Sequence, residues 1–436
     1  MPMLQRIQRA YEALFSESPT LESRPAEERP ILQPGQIDVR SLIERYDAAK
    51  HAELADAYFE PLVDNPVLRR KPFSHAHDAV YIMASLAHVM EGLRLFPQAT
   101  VLDFGAGTCW SSRILASVGC RVTALDVSKN ALKIGRSVHE QDPLTRDLPI
   151  DFQVFDGRSI PAGAASFDRI LSFDAFHHAP DQAGLLREFS RVLVEDGIVG
   201  FAEPGPYHSL TPTSQMEMRA YNVIENDIRV EEIWDTARAC GFADIRLSFT
   251  MPYQELLSLD EFNRILAAKS APDEIVFSAG NVLMHKNRRV FFLYKSTSRE
   301  QDSRFVGGSD GLRCAMQLRD ITVEDASTVR LALTIENVGK STWRASGGGP
   351  GCVNIGVHLR GADNSMLDND FTRLSLSSDR VRPGEKREVN ELLPLPELDD
   401  FTIELDPVAE NVTWFELTGG SPLRLTFRNR RYVAQH

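Results

Sequence analysis

A glycine-rich turn followed by an acidic residue marks the first place in this chain where a ligand could bind. The apolar run 101–104 ends in Gly105-Ala106-Gly107, and apolar residues at helical spacing follow from 109 to 118. A second apolar run, 121–125, ends on Asp126. This order predicts strand, turn, helix and strand. Glycines let the backbone approach a ligand closely, and an acid at a strand tip can accept hydrogen bonds from both ribose hydroxyls. The pattern therefore predicts a nucleoside ligand.

The turn differs from the fingerprint of dinucleotide-binding proteins, which has a third glycine where this chain has Trp110. D-F-G-A-G-T, residues 103–108, followed by a strand that ends in Asp126, instead resembles the first two motifs of class I S-adenosylmethionine-dependent methyltransferases. The resemblance extends from Phe73 to Lys295, roughly half of the chain. It implies S-adenosylmethionine as the cofactor.

The residues expected to hold this cofactor lie at or after the ends of predicted strands: Asp103, Gly105, Ala106, Gly107, Asp126, Val127, Asp156, Gly157 and Asp174. The resemblance implies that those of the first turn approach the methionine part. It also implies that Asp126 binds the ribose and that Val127 packs on the adenine. Asp156 would cap the adenine amine, although Asp-Gly is also an ordinary turn sequence. Asp174 is expected to line the cofactor end rather than abstract a proton.

Histidines at two further strand ends are candidates for the chemical step. Methyl transfer is an in-line displacement, and a hydroxyl acceptor must also lose a proton, for which imidazole is suited near neutral pH. His177 and His178 follow the fourth predicted strand, and His208 follows the fifth. Each is a candidate base, while either of the first two could equally be structural. Glu203 ends the fifth strand and is expected to bind substrate hydroxyls or to activate a histidine.

Two further segments are rich in polar groups. Residues 67–77 carry groups that could face a ligand, although an ordinary solvated loop is the favoured structure for this segment. A second set lies beyond the fifth strand and is too polar for a plain core helix: Glu217, Arg219, Asn222, Glu225, Asn226 and Asp227. We expect most of these side chains to form a solvated face, with one or two of them bonded to a polyhydroxylated acceptor.

Short apolar runs alternate with helical patterns from 99 to 202, which predicts a parallel sheet covered on both faces. Two more apolar runs, 243–249 and 289–294, flank a helical insertion expected at about 256–268. The resemblance implies that the last strand is antiparallel and lies between its two predecessors. The predicted fold class is therefore α/β, a Rossmann-like, doubly wound, seven-stranded methyltransferase sheet with N-terminal helices, followed by a C-terminal antiparallel β-sandwich.

The C-terminal region alternates apolar and polar residues with period two. Val329, Leu331, Leu333 and Ile335 share one face of a strand, and similar runs recur near 355, 401 and 423. About eight such strands predict a β-sandwich. It resembles the immunoglobulin-like and carbohydrate-binding modules attached to bacterial polysaccharide enzymes. If it binds glycans, aromatic residues such as Trp343, Trp414 or Tyr432 should be exposed.

These patterns divide the chain into three parts. Residues 1–72 form an N-terminal helical extension with a charged linker, 73–296 the methyltransferase domain, and 304–436 the β-sandwich domain. The polar stretch 296–303 marks the second boundary.

Composition narrows the function further. The chain has 61 acidic and 48 basic residues and a net charge of −13, which argues against a nucleic-acid partner. Its five cysteines are scattered and lack C-x-x-C spacing, so neither a metal site nor a disulfide framework is expected. No run reaches membrane-spanning length, and we expect a cytoplasmic protein. The oligomeric state stays open, with a homo-oligomer as one outcome.

The leading hypothesis is O-methylation of a sugar or glycan hydroxyl by in-line transfer with a histidine base. One alternative keeps the methyl transfer but makes the acceptor a small natural product or lipid precursor. A third hypothesis is a non-catalytic scaffold with a degenerate Rossmann domain. The intact Gly105, Gly107 and Asp126 argue against the scaffold.

Overall fold

The computed structural model describes residues 31–249, 258–260, 263, 287–297, 301–306 and 310–433. The N-terminal helix and linker predicted within 1–30, and most of the insertion predicted at 256–268, lie outside these residues. The chain forms two compact units. The first comprises Met1–Leu95 and Ala99–Thr297, and the second Phe96–Gln98 and Ser298–His436. The described residues of the predicted helical extension, 31–72, thus lie in the same unit as those of the predicted methyltransferase domain.

Four α-helices precede the sheet in the described part of the first unit: α1 (Val39–Arg45), α2 (Ala48–Phe59), α3 (Pro66–Arg69) and α4 (Ala76–Leu93). The side chains of Asp38, Asp47 and Asn65 accept hydrogen bonds from backbone amides at the starts of the first three. Such caps satisfy amides that have no partner within the helix. None of the described helices combines the length and apolar character needed to cross a membrane.

Within its described residues, the sheet of the first unit has seven strands: β1 (Thr100–Phe104), β2 (Arg121–Asp126), β3 (Ile150–Val154), β4 (Phe167–Phe173), β5 (Leu193–Pro204), β6 (Asp244–Leu247) and β7 (Arg288–Tyr294). Their order is β3-β2-β1-β4-β5-β7-β6. The first five are parallel, whereas β7 runs antiparallel between β5 and β6. The predicted seven-stranded α/β sheet is therefore confirmed, including the position of its last strand.

Helices also connect and follow these strands: α5 (Trp110–Ser117), α6 (Lys129–Gln141), α7 (Gln182–Val192), α8 (Pro212–Tyr221) and α9 (Val230–Ala239). The sequence patterns had not predicted α8. Its start is nevertheless well formed, because Pro212 occupies the first turn and the Thr211 side chain accepts a hydrogen bond from the Ser214 amide. Since the first five strands are parallel, their carboxyl ends meet at one edge of the sheet, where a ligand would bind.

The second unit contains nine strands within residues 310–433: β8 (Cys314–Asp325), β9 (Thr328–Asn337), β10 (Val353–Gly361), β11 (Met366–Ser375), β12 (Lys386–Pro394), β13 (Phe401–Ala409), β14 (Thr413–Trp414), β15 (Leu423–Arg428) and β16 (Arg431–Val433). One sheet has the order β12-β9-β8. The other has the order β11-β10-β13-β15-β16, with β14 paired to β13. Every pairing between these named strands is antiparallel, as the period-two pattern predicts.

The apolar faces of the two C-terminal sheets share one buried cluster, to which β9, β10 and β13 contribute most of their inward residues. Trp343 is fully buried in this cluster and packs edge-to-face on Phe415. The expectation of an exposed aromatic residue at Trp343 is therefore wrong. Trp414 and Tyr432 are half-buried, and the Trp414 ring lies 4.2 Å from the His358 ring, centroid to centroid.

The first unit should fold without the second, because each has its own buried hydrophobic cluster. We expect a protein that ends at Thr297 to bind S-adenosylmethionine as tightly as the full chain, measured by titration calorimetry. The full-length protein is the control. Aggregation of the shortened protein, or loss of binding, would show that the second unit is needed for the first to fold.

Candidate active site

A cavity of about 670 Å³ lies at the carboxyl ends of the parallel strands in the first unit. Its volume is within the range of pockets that hold drug-sized ligands. Its wall includes the turns that follow β1, β2, β3 and β4, and helices α2 and α8. The predicted site residues on this wall are Gly105, Ala106, Gly107, Asp126, Val127, Gly157, Asp174, His177, His178 and His208. Asp103, Asp156 and Glu203 are not on the wall.

The glycine turn after β1 depends on glycine for two different reasons. Gly105 and Gly107 have φ values of 66° and 54°, in the left-handed region that side chains disfavour. A Cβ atom on Gly105 would also lie 2.3 Å from the Cβ of Ala175, far inside contact distance. A Cβ on Gly107 would meet nothing within 4 Å. Gly105 therefore allows two turns to pack closely, and Gly107 leaves open space beside the backbone.

Asp126 links this turn to the end of β2. Its Oδ2 accepts a hydrogen bond of 2.8 Å from the Gly107 amide, and its Oδ1 accepts one of 2.8 Å from the Ser128 amide. Burial raises the pKa of Asp126. Each carboxylate oxygen has two lone pairs, so each keeps one for a further donor. The carboxylate can therefore bind both hydroxyls of a ribose without losing its present partners.

Asp103 lies next to the glycine turn but not on the cavity wall. It is buried, and its Oδ2 accepts hydrogen bonds from the Ser111 and Ser112 hydroxyls at 2.7 and 2.5 Å. Burial raises its pKa to about 6. Both serines lie on α5, so Asp103 fixes the start of that helix against β1. The expected direct approach of Asp103 to the cofactor is not what the structure shows.

Asp156 stabilises the turn after β3, which is the alternative that the Asp-Gly sequence also allows. Its side chain is exposed, and Oδ1 accepts hydrogen bonds of 2.8 Å from the amides of Arg158 and Ser159. The neighbouring Phe155 and Gly157 line the cavity instead. This carboxylate therefore shapes the turn, and the expected contact with an adenine amine is not supported by its placement.

Helix α2 lines the cavity and is hydrogen-bonded to the turn after β2. Asp56, on α2, accepts hydrogen bonds of 2.8 Å from the Ser128 hydroxyl and the Asn130 amide. The wall then includes Tyr58 and Phe59 from the same helix. The predicted N-terminal extension thus forms part of the site.

Lys71 lies on the cavity wall, within the segment expected to be a solvated loop. Burial lowers the pKa of this lysine, although the charge of Asp174 opposes the shift. Its Nζ is 5.8 Å from the centre of the Trp110 ring. No pattern in the sequence distinguishes Lys71 from the neighbouring Arg69 and Arg70.

Asp174 lines the cavity next to a buried cation. It has a φ of 50° and accepts a hydrogen bond from Arg288, the first residue of β7. The Arg288 guanidinium lies 4.9 Å from the centre of the Phe173 ring. This pairing compensates the charge of Asp174.

Glu203 lies beneath the wall and holds the turn after β4. It is fully buried, and burial raises its pKa. Oε1 accepts hydrogen bonds from the Ser172 hydroxyl and the Phe176 amide, both at 2.9 Å, and from the Ala175 amide at 3.2 Å. Oε2 lies 2.7 Å from Nδ1 of His177. Two roles were expected of Glu203. Its position beneath the wall does not allow contact with substrate hydroxyls, but it does allow Glu203 to orient His177.

Three histidines meet at the end of the cavity next to this turn. The ring centre of His177 lies 3.9 Å from that of His178 and 5.0 Å from that of His208. Burial, reinforced by the charge of His178, lowers the pKa of His177 well below its ordinary value. Its ring is therefore neutral, with Nδ1–H donated to Glu203 and a lone pair on Nε2. The His178 ring is partly exposed and donates from Nδ1 to the Ile224 carbonyl at 2.6 Å.

Glu225 completes this histidine cluster. It is buried, and its Oε2 accepts hydrogen bonds from His208 Nε2 at 2.7 Å and from the Ser214 hydroxyl at 3.2 Å. Burial alone would raise the pKa of Glu225, but the bond from His208 and the nearby histidine charges lower it to about 2. The expectation that most of the polar set is solvated does not hold for Glu225. Burial and the charge of Glu225 also raise the pKa of Glu217 on α8.

Comparison with known families finds a match within the first unit. Residues 102–201 match the family model described as a methyltransferase domain. This stretch runs from β1 through β5 and contains the glycine turn, Asp126, His177 and His178. The match supports the class predicted from the sequence, the class I S-adenosylmethionine-dependent methyltransferases, and with it the predicted cofactor.

Individual relatives differ in what they methylate. The chain is 35% identical over 112 residues to a sarcosine/dimethylglycine N-methyltransferase of Halorhodospira halochloris, an alignment that covers 26% of this chain and 39% of that protein. It is 27% identical over 170 residues to a ubiquinone biosynthesis O-methyltransferase of Xanthomonas campestris, covering 38% and 64%. The chain thus spans less than two thirds of either relative. Neither is named for a sugar or glycan acceptor.

Two solved structures align with this chain at low sequence identity. An S-adenosylmethionine-dependent methyltransferase from Mesorhizobium loti aligns with a TM-score of 0.36 and 20% identity, covering 48% of this chain and 97% of that one. A phosphoethanolamine N-methyltransferase from Haemonchus contortus, solved with S-adenosyl-L-methionine, aligns with a TM-score of 0.36 and 21% identity, covering 60% of each chain.

We predict that Asp126→Asn weakens the binding of S-adenosylmethionine by about 2 kcal/mol, or roughly 30-fold, because charge-assisted hydrogen bonds to the ribose are lost. Asp156→Asn is the matched control and should bind normally, since that carboxylate lies off the wall. Titration calorimetry on both variants makes the comparison. Normal binding by Asp126→Asn would remove this residue from the site, and an equal loss in Asp156→Asn would show that Asp156 reaches the ligand.

Proposed function

We propose that this chain is an enzyme that transfers a methyl group from S-adenosylmethionine to a hydroxyl oxygen of a small acceptor. The observation that carries the proposal is one cavity whose wall includes both Asp126 and the histidine cluster. A site that binds a nucleoside at one end and presents titratable groups at the other has what proton-coupled group transfer requires. The family match to residues 102–201 supports the same class of reaction.

The residues at the Asp126 end are suited to this cofactor. The free lone pairs of Asp126 can accept both ribose hydroxyls, and Phe155 and Val127 provide apolar wall for the adenine. The open space beside Gly107 leaves room for the methionine part. When bound, S-adenosylmethionine supplies an electrophilic methyl group, and its sulfur keeps the electron pair of the broken S–CH₃ bond.

His208 is the base that this geometry favours. Because its Nε2–H is donated to Glu225, the lone pair is on Nδ1, which takes the proton lost by the acceptor hydroxyl. The carboxylate of Glu225 then stabilises the imidazolium that forms. His178 donates its Nδ1–H to a neutral carbonyl rather than to a carboxylate, and burial disfavours a charge on His177, so both are weaker candidates.

A small acceptor is favoured over a long glycan. The cavity of about 670 Å³ must hold the cofactor as well as the reacting part of the acceptor. The burial of Trp343 removes one of the aromatic platforms that a glycan-binding module would need. Polar groups of Ser214, Glu217 and the three histidines line the acceptor end, which suits a hydroxylated molecule more than an apolar one.

We expect the purified protein to transfer a deuterated methyl group from labelled S-adenosylmethionine to at least one member of a panel of small hydroxylated compounds, detected by mass spectrometry. The panel should include monosaccharides, phenols and hydroxy acids. Sarcosine and dimethylglycine form a parallel amine panel. Label in the amines alone would make the enzyme an N-methyltransferase. Tight cofactor binding with no labelled acceptor in either panel would favour the scaffold hypothesis.

We predict that His208→Ala lowers turnover by roughly 100-fold or more while cofactor affinity stays unchanged, because only proton removal is lost. Activity of the variant should rise with pH as the acceptor ionises by itself. His75→Ala is the control, since His75 is exposed and lies outside the cavity wall. Wild-type turnover in His208→Ala would mean that another group takes the proton.

A further inference from the structure

The histidine cluster contains a set of side chains with the chemistry and spacing of metal ligands. His177, His178 and Glu225 each offer one atom, and these atoms lie within 4.8 Å of one another. Ligand atoms that share a metal at about 2.1 Å lie roughly 3 to 4 Å apart. The widest separation in this group therefore exceeds that range by less than about 1 Å.

Both histidines are held as metal-binding histidines usually are. His177 donates from Nδ1 to the carboxylate of Glu203, and His178 donates from Nδ1 to the Ile224 carbonyl. Each hydrogen bond fixes the tautomer and leaves a lone pair on Nε2. A metal-binding histidine almost always gives its other ring N–H to a carboxylate or a backbone carbonyl, which orients the ring. Here one ring has each kind of partner.

Glu225 provides independent evidence. The residue is 2% exposed, and no N–H or hydroxyl group of the described residues donates to its Oε1. Nδ1 of His178 lies 3.5 Å from this oxygen and already donates to Ile224, and the neighbouring Glu217 can donate to Glu225 only when it is itself protonated. A buried carboxylate oxygen is costly unless a donor or a cation compensates it. Since His208 and Ser214 hold Oε2, the carboxylate cannot simply turn to satisfy both oxygens.

We propose that His177, His178 and Glu225 bind one divalent metal ion of the Zn²⁺, Co²⁺ or Fe²⁺ kind. Two imidazoles and one carboxylate are the ligands that such ions take while keeping coordination positions open. Mg²⁺ and Ca²⁺ prefer oxygen ligands and are disfavoured here. The scattered cysteines had predicted no metal site, but these three ligands involve no cysteine.

The role of this ion rests on the proposed function, although its binding does not. An open coordination position would accept the acceptor oxygen, and the metal would lower the pKa of that hydroxyl. His177 and His178 would then be ligands, and His208 would remain free to take the proton at Nδ1. The acceptor class narrows accordingly to small molecules that present an oxygen donor to a metal.

The test is a titration of the full-length, untagged protein with Co²⁺ after treatment with a chelator. We expect one Co²⁺ per chain, visible absorption bands typical of a bound cobalt ion, and loss of these bands when Zn²⁺ is added. An excess of Mg²⁺ should leave the bands unchanged. Absence of Co²⁺ binding, or displacement by Mg²⁺ as readily as by Zn²⁺, would overturn the assignment.

Variants locate the ion. Glu225→Gln and His178→Ala should each weaken Co²⁺ binding at least about 10-fold, whereas His75→Ala should bind as the wild type does. The His178 side chain is 46% exposed, so its removal tests the site with little risk to folding. Binding of S-adenosylmethionine by each variant confirms that it is folded. Wild-type Co²⁺ affinity in both cluster variants would place the ion elsewhere and refute the proposal.

The metal site and the proposed function can fail separately, because the titration requires no turnover. Methyl transfer by a chelator-treated protein that binds no Co²⁺ would refute the metal site and leave the proposed function intact. Stoichiometric Co²⁺ binding without transfer to any acceptor would support the metal site and count against the proposed function.

Discussion

The buried carboxylate of Glu203 constrains the acceptor end of this protein. A carboxylate without solvent is stable only when its oxygens are hydrogen-bonded, and the donors here are the Ser172 hydroxyl, three amides of the turn after β4 and the His177 ring. Satisfying Glu203 therefore sets the path of that turn. It also determines which nitrogen of His177 keeps a lone pair, and so what the ring can do at the cavity.

A second buried carboxylate has the corresponding role at the cofactor end. Asp126 accepts from Gly107, which fixes the glycine turn, and from Ser128, which starts α6. The two ends meet in one cavity because β1 lies between β2 and β4 in the sheet, and all three strands are parallel. Turns that follow neighbouring parallel strands lie side by side at the same edge. The sheet order thus brings the cofactor end next to the histidines.

The second unit illustrates how aromatic residues can mislead a functional prediction. Trp343 was expected on a surface for glycans, yet its indole fills the core between two sheets. Large aromatic side chains supply much of the buried area in small β domains. Exposure, rather than residue type, would be needed to argue for a sugar site. The two sheets and their shared core follow from the period-two pattern, whereas their function does not.

Local patterns in the sequence determined most of the fold. Period-two and helical spacings gave the strands and helices of both units, and the glycine turn with Asp126 located the cofactor end, because these features depend on residues close together in the chain. Helix α8 lacks an apolar pattern that would predict it, because its polar residues line a cavity rather than a core. The resemblance to methyltransferases supplied the position of β7, which no local pattern contains.

Only the tertiary structure decided what each polar residue does. Glu203 and His177 are 26 residues apart, and Glu225 and His208 are 17 apart, so neither pair is visible as a motif. The contact of Asp103 with α5 is likewise invisible in the sequence. So is the position of Lys71 on the cavity wall, because its segment has the pattern of a loop. Whether a charged group is solvated, paired or buried depends on what the folded chain places over it, and that is set by packing between distant segments.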